Sequence, residues 1–276
     1  MRTPLPTPAP AAAPEQETPR RTVAAWSLPV WAAVLASAAA GLLLDFASAP
    51  VGWWPLTFVS VTVALVALIG RSFGGALLVG TVFGAVFYTT HLVWVGEFLG
   101  PVPWLALAGL EAVLFGAGAV PIALAYRWTA RYPARGLVQL LAVPPLIGVL
   151  WTAREVVMGA WPYSGFPWAR LGMTQVGGPL AEAVSWTSVT GLSLLIVILC
   201  ASVVQWIRAG GIRFMLGLHP AVSVAALLVI APQFPTAPAG EFRVGWVQGN
   251  GPTGYFDDKV PGDVLAAQTA ATVPLY

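Results

Sequence analysis

The sequence predicts a polytopic all-α membrane bundle of seven transmembrane helices, followed by a short segment of different character. Three observations carry this: 58% of the 276 residues are hydrophobic and 9% charged, mean hydropathy is +0.79, and uncharged apolar runs of about 18 residues or more recur along the chain. Globular chains carry about 25% charged residues, so 13 Lys+Arg and 11 Asp+Glu leave too few charges to cover a water-facing surface. The net charge of +2 is distributed over short loops and makes no basic stripe, so no nucleic-acid partner is expected. Cys200 is the single cysteine, which excludes an intramolecular disulfide, a CxxC pair and a multi-cysteine metal site.

Residues 1–22 hold Pro4, Pro6, Pro8, Pro10, Pro14 and Pro19 among alanines and close on Arg20 and Arg21. Such a stretch buries no core and reads as a disordered cytoplasmic leader. The arginine pair invites a twin-arginine reading and Ala36-Ser37-Ala38 a signal-peptidase site, but the apolar run continues to Leu44, longer than a signal h-region. An uncleaved first helix with an inside anchor is therefore expected. The bundle is expected over residues 23–231, with spans at 23–44, 53–70, 73–96, 102–126, 136–157, 183–207 and 214–231. Asp45 to Pro50, Arg71, Gly100-Pro101-Val102-Pro103, the basic loop from Arg127 to Arg135, and Gly210-Gly211 separate them.

With the N-terminus cytoplasmic, Arg2, Arg20, Arg21, Arg71, Arg127, Arg131, Arg135, Arg208 and Arg213 all fall inside, nine of the 13 basic residues. Arg170, Arg243 and Lys259 fall outside, with Asp45, Glu97 and the tail. This asymmetry is the positive-inside pattern, and it predicts a plasma-membrane protein with an extracytoplasmic C-terminal tail.

Composition changes again over residues 232–276. A loop at Thr236 to Gly240 precedes residues 242–248, whose alternation suits a strand; Gly249-Asn250-Gly251-Pro252 ends it. Asp263 is placed to cap an amphipathic helix through Val264, Leu265 and Ala267. One strand and one helix make no independent core at this size, so the chain is expected to stop inside a domain.

Charges, aromatics and helix breakers concentrate between Trp151 and Gly172, where an external loop leaves the fifth span. Arg154 and Glu155 read either as an intramembrane ion pair at a functional site or as the interfacial end of a helix, with Trp161, Tyr163 and Trp168 as an aromatic belt. Glu111, mid-span, should face the bundle, be neutral, or pair with a group such as His91. No second His or carboxylate follows His91 at metal spacing, and His219 reads as interfacial, so no metal is expected. Gly80 and Gly84 form a GxxxG that permits close helix contact. Cys200 lies in apolar surroundings without an activating base and is not expected to be a nucleophile. GxSxG, Walker and HExxH motifs are absent from the sequence.

Several stretches, in order, resemble the apolipoprotein N-acyltransferases of bacterial envelopes. They are Phe46-Ala47-Ser48-Ala49-Pro50 to Trp54-Pro55, Gly80 to Trp94, Trp151 to Glu155 followed by Gly165-Phe166-Pro167-Trp168, Gln175 to Gly178-Pro179-Leu180, and Val247-Gln248-Gly249-Asn250. The resemblance implies seven helices before an extracytoplasmic α/β nitrilase-like domain, of which residues 242–248 would be the first strand. It also implies two-step acyl transfer without a cofactor. A cysteine thiolate takes an acyl chain from a membrane phospholipid and passes it to the amino group of a lipoprotein's diacylglyceryl-cysteine. The family's catalytic Glu, Lys and Cys are expected beyond Tyr276, so this chain by itself is expected to be inactive. Phe166, Pro167 and Trp168, with Glu155 beneath, are the expected substrate-binding residues. A transporter bundle and a non-catalytic membrane scaffold are the competing readings; a transporter would show inverted repeats and several intramembrane charges, and no duplicated pattern is visible.

Overall fold

The computed structural model describes residues 27–131, 136–208, 239–252, 254–258 and 260–275, with residues 221, 222, 225, 226, 230 and 237 between them. The expected leader at 1–22 and most of the seventh span at 214–231 lie outside the described residues. Eight α-helices are described: α1 (Val30–Ala47), α2 (Leu56–Leu68), α3 (Phe73–His91), α4 (Val93–Leu99), α5 (Pro101–Arg131), α6 (Gly136–Met158), α7 (Val184–Arg208) and α8 (Asp263–Thr272).

Five segments are long and apolar enough to cross a membrane: Val30–Ala47, Phe73–His91, Pro101–Ala130, Gln139–Met158 and Ala181–Arg208. Mid-helix Leu35, Val59, Leu78, Val113 and Val149 point outward and are 47–62% exposed. That arrangement is costly in water and favourable in hydrocarbon. The chain is a multi-pass membrane protein.

Local chemistry accounts for the helix ends. Ser72 caps α3, its hydroxyl accepting from the Gly75 amide at 3.2 Å. The apolar run expected at 73–96 is broken at Leu92, a fully buried corner (φ −103°, ψ 20°) between α3 and the seven-residue α4. In α7, Ser188 (φ 61°, ψ 171°) separates a short first turn from the long helix that follows.

The expected span at 53–70 is shorter than a crossing. Its helix, α2, has 13 residues, about 20 Å at 1.5 Å per residue, against a hydrocarbon core of about 30 Å. The difference is made up by chain from elsewhere. A 3₁₀ turn, Leu171–Gln175, packs over the first turn of α2. There the Thr57 hydroxyl donates to Thr174 Oγ1 at 2.8 Å, and Gln175 Nε2 donates to Thr57 Oγ1 at 3.2 Å and to Thr174 Oγ1 at 2.9 Å. Gly178 lies against the Trp54 ring. All three polar side chains are buried, so Thr57→Val strands partners that water cannot reach. A loss of about 1–3 kcal/mol is expected, read as a lower Tm of the detergent-solubilised protein; an unchanged Tm would show that this cluster does not hold the loop down.

The helices close into a ring in which α3 lies between α1 and α5, α6 between α5 and α7, and α2 between α7 and α1. The expected GxxxG contact is present. Gly80 and Gly84 of α3 face Gly116, Ala119 and Ala112 of α5, so near that a Cβ on Gly80 would lie 2.5 Å from that of Ala119. The bundle has two chemically different ends. At one, Arg71 donates to the Leu28 carbonyl, Arg127 donates to the Arg71 carbonyl at 3.5 Å, and Arg208 lies over the Tyr126 ring. At the other, Asp45 closing α1 meets His91 closing α3 at 3.1 Å, beside the long loop between α6 and α7.

The tail departs from expectation. Residues 242–248 form no strand, and none occurs among the described residues. Phe242, Val244 and Trp246 stand 88%, 74% and 84% exposed. Alternation specifies a face, but a strand also needs a neighbour to pair with, and the described residues supply none. The helix expected after Asp263 does form, yet its cap position belongs to Gly262 (φ 101°), and the Asp263 carboxylate accepts instead from the Val260 amide at 3.3 Å. No residue of α8 is buried, although Gly249 and Gly251 lie close against it at Val264, Ala267 and Gln268. The tail meets the bundle at α4, where the Tyr255 amide donates to the Phe98 carbonyl at 2.7 Å.

Candidate functional site

The loop leaving α6 turns sharply back on its own helix. Gly159 and Trp161 donate to the carbonyls of Glu155 and Val157, and the Phe166 amide donates to the Met158 carbonyl at 2.8 Å. The reversal needs Gly165: its φ is +71°, and a Cβ would lie 2.3 Å from the Ala160 nitrogen. Tyr163, Ser164 and Ala169 also take left-handed φ values of 50°, 78° and 59°. Three such residues in one short loop store backbone strain that its packing must offset, a feature found where side chains are held for function.

The reversal sets Phe166, Pro167 and Trp168 as a wall. The Phe166 and Trp168 rings are stacked at 6.2 Å, and Trp94 of α4 braces Trp168 at 5.5 Å. Behind the wall is a narrow cleft whose lining also includes Glu155, Arg154 and Tyr88. All four residues singled out in the sequence, Glu155, Phe166, Pro167 and Trp168, therefore line a single cleft.

Arg154 and Glu155 form its floor. Glu155 Oε1 accepts from Trp151 Nε1 at 3.0 Å and from the Leu171 amide at 3.2 Å, and lies 3.5 Å from an Arg154 guanidinium nitrogen. The carboxylate thus ties the far end of the loop to α6. The Arg154 guanidinium lies 3.9 Å from the centre of the Phe115 ring and 4.7 Å from that of Trp151. Its stem crosses Gly118, where a Cβ would lie 2.4 Å from the Arg154 side chain. Glu155 Oε2 and Arg154 Nε have no hydrogen-bond partner among the described residues, although both side chains are under a tenth exposed. Buried polar atoms are normally paired, so the floor has spare capacity for a polar group, below a wall suited to apolar chains.

The other candidates fall elsewhere. His91 pairs with Asp45 rather than Glu111, and its ring stacks on Phe87 at 5.1 Å. Glu111 is 2% exposed and lies within electrostatic reach of Arg154. The Cys200 thiol is buried and directed at the Phe58 carbonyl at 3.7 Å. His219 is outside the described residues, and no cluster of metal-ligating side chains occurs among those described. Sequence reasoning missed Leu44, Phe87, Tyr88 and Phe115 as cleft residues. They arrive from three other helices, and no spacing along the chain links them to the loop. The one available signal was charge: Glu111 and Arg154 are opposite charges in apolar spans, and such groups seek each other.

Residues 40–202, which contain the cleft and most of the ring, match the family model described as the apolipoprotein N-acyltransferase N-terminal domain. The chain belongs to the apolipoprotein N-acyltransferase family. It is similar to the apolipoprotein N-acyltransferase of Azotobacter vinelandii, 31% identical over 239 residues, covering 80% of this chain and 44% of the relative. That of Pseudomonas aeruginosa is 32% identical over 235 residues, 81% and 45%, and that of Mycolicibacterium smegmatis 28% over 230 residues, 77% and 37%. The chain spans less than half the length of these curated relatives. Within the N-acyltransferase match lie the loop, its wall and the Arg154–Glu155 floor.

Proposed function

We propose that this chain is the membrane part of an apolipoprotein N-acyltransferase, which moves an acyl chain from a phospholipid to the N-terminal diacylglyceryl-cysteine of a lipoprotein. A cysteine thiolate attacks the phospholipid ester, giving a thioester and a lysophospholipid. The lipoprotein's free amine then attacks the thioester, forming an amide and releasing the thiolate. The Glu, Lys and Cys of that chemistry belong to a nitrilase-like domain which residues 232–276 lead into, and the bundle over 23–231 carries the lipid-facing part of the site. No cofactor is required.

The observation that carries this reading is the convergence of Glu155, Phe166, Pro167 and Trp168 on one cleft, at the end of the bundle opposite Arg71, Arg127 and Arg208. Arginines favour the cytoplasmic side, so the cleft end is extracytoplasmic, the leader cytoplasmic, and the tail on the side of the outer leaflet. Both substrates are lipid-anchored there, and a head mounted on this end meets them without a search through solution. In the reading, the aromatic wall guides the acyl chain and the Arg154–Glu155 floor meets the polar group above it.

The test is transfer of a labelled acyl chain from phospholipid vesicles to a diacylated lipopeptide, using the protein together with whatever its reading frame encodes after Tyr276. Transfer is expected, and Trp168→Ala is expected to slow it by roughly tenfold or more while the protein stays membrane-inserted. No transfer at any donor concentration overturns the enzyme; full transfer by the variant removes Trp168 from the site.

A further inference from the structure

The short helix α4 is held from few sides. Its seven residues are too few to be stable alone, and Val95 is the one of them that is buried. The fully buried Leu92 fixes its start, and Gly96 lies against the Trp104 ring of α5, where a Cβ would meet Cε3 at 3.3 Å. A helix end leaves its last carbonyls unpaired. Here the Gly100 amide donates to the Gly96 carbonyl at 2.9 Å, and the Tyr255 amide, from the tail, donates to that of Phe98 at 2.7 Å. The tail makes this contact with a turn, in which the Asp257 amide donates to the Gly254 carbonyl at 3.2 Å and the Gly254 amide to Asp257 Oδ2 at 2.6 Å. Phe256, in the same turn, lies against Gly100, 3.8 Å from where a Cβ would stand. One helical turn back from Phe98, Trp94 carries its ring to Trp168. Trp168 is 53% exposed and precedes Ala169, whose φ is 59°. Among the described residues, Trp94 is the one ring from outside the loop that packs against it.

We propose that Trp94 is a positioning residue of the cleft: it holds the Trp168 ring in the wall, and the turn at residues 254–257 holds Trp94 by pinning the end of α4. The placement of the tail then sets the placement of the wall. A half-exposed indole has little surrounding packing to choose its rotamer, so the choice falls to the two rings that touch it, Phe166 from its own loop and Trp94 from α4. The tail needs no contact with the loop to take part, because Trp94 and Phe98 are four residues apart and lie on one face of α4. The proposal rests on the acyl-transfer reading for what the wall does, and not for how the wall is held.

The first arm of the experiment uses the 276-residue protein in detergent, labelled with fluorotryptophan and read by fluorine NMR, the Trp168 resonance being the one lost in Trp168→Phe. Trp94→Ala is expected to shift it. Tyr255→Pro is expected to shift it as well, because proline lacks the N–H that Phe98 accepts from yet suits the second position of a turn. Tyr255→Ala loses the same ring but keeps the N–H, and is expected to leave the resonance in place. A resonance unmoved by Trp94→Ala or by Tyr255→Pro overturns the proposal, as do equal shifts in the two Tyr255 variants. The second arm is acyl transfer by the protein together with whatever its reading frame encodes after Tyr276. Trp94→Ala should lower kcat/KM at least about fivefold, and Trp94→Phe should restore it to within about twofold; full transfer by Trp94→Ala removes the positioning role. If the unaltered protein transfers nothing, the acyl-transfer reading fails and the fluorine arm still decides how the wall is held.

Discussion

Replacing Glu155 with alanine is expected to destabilise the protein by about 3–5 kcal/mol, the cost of leaving a buried charge without its partner. Arg154 is 8% exposed, and Glu155 is the one carboxylate that forms an ion pair with it among the described residues. Its cation–π contacts with Phe115 and Trp151 stay in place but do not neutralise it. The same substitution frees the Trp151 indole N–H and the Leu171 amide, both of which donate to Glu155 Oε1. Two effects should therefore appear together: a lower Tm in detergent, and faster tryptic cleavage after Arg170 as the loop loses its anchor on α6. Glu155→Gln keeps an acceptor for both donors and loses only the charge, so it should melt between the two. If Glu155→Ala melts with the unaltered protein and its loop stays protected, the carboxylate is not the tie described.

The second large effect is expected at the contact between α3 and α5. A Cβ on Gly84 would lie 2.7 Å from the Ala112 Cα, 3.0 Å from the Phe115 Cβ and 3.2 Å from the Ala112 carbonyl oxygen. Two of these three are backbone atoms, which cannot turn aside, so the helices must separate. Gly84→Ala is expected to cost about 1–3 kcal/mol as overpacking, and Gly84→Leu to leave little folded protein in the membrane. Gly74 supplies the control on the same helix, since nothing lies within 4 Å of its Cβ direction. There the better helix propensity of alanine should show through, giving neutral or slightly raised stability. Equal Tm values for Gly84→Ala and Gly74→Ala would mean that α3 and α5 are not held by this close approach.

The displacement of Phe115 in Gly84→Leu also connects packing to the site. Phe115 carries the Arg154 guanidinium, stacks with Phe83 at 4.4 Å and meets Trp151 edge-on at 5.5 Å. A glycine one helix away from the loop thus controls the shape of the cleft floor. Nothing in the spacing of Gly84, Phe115 and Trp151 along the chain indicates this.

The wall was legible in the sequence because its residues are neighbours. Gly165-Phe166-Pro167-Trp168 is a run in which the breaker, the aromatics and the end of an apolar span coincide. The floor was half legible: Arg154 and Glu155 stood out as adjacent charges, but the contact of Glu155 with Leu171 comes from the loop folding back onto α6, and that of Arg154 with Phe115 comes from α5. The partner of His91 was not legible. Asp45 is 46 positions away and reaches it because α1 and α3 end at the same level. The shortness of α2 was hidden because Trp53, Trp54 and Pro55 are apolar and extend the run without extending the helix. In the tail, alternation at 242–248 suggested a strand from local pattern alone, whereas pairing is a property of a neighbour that the described residues do not include.

What the sequence determined by itself is that the chain lives in a membrane, where its apolar runs lie, and how its arginines divide between their ends. These follow from transfer between water and hydrocarbon, to which each residue contributes nearly independently of its distant neighbours. Only the tertiary structure decided which face of each helix turns inward, that Arg154 lies on Phe115 and Trp151, and that Tyr88 and Phe115 join the loop in lining one cleft. The spans are apolar all round, so hydrophobicity does not choose a face for them. Shape does, through glycine notches that admit a neighbouring backbone and a few buried polar groups that need each other.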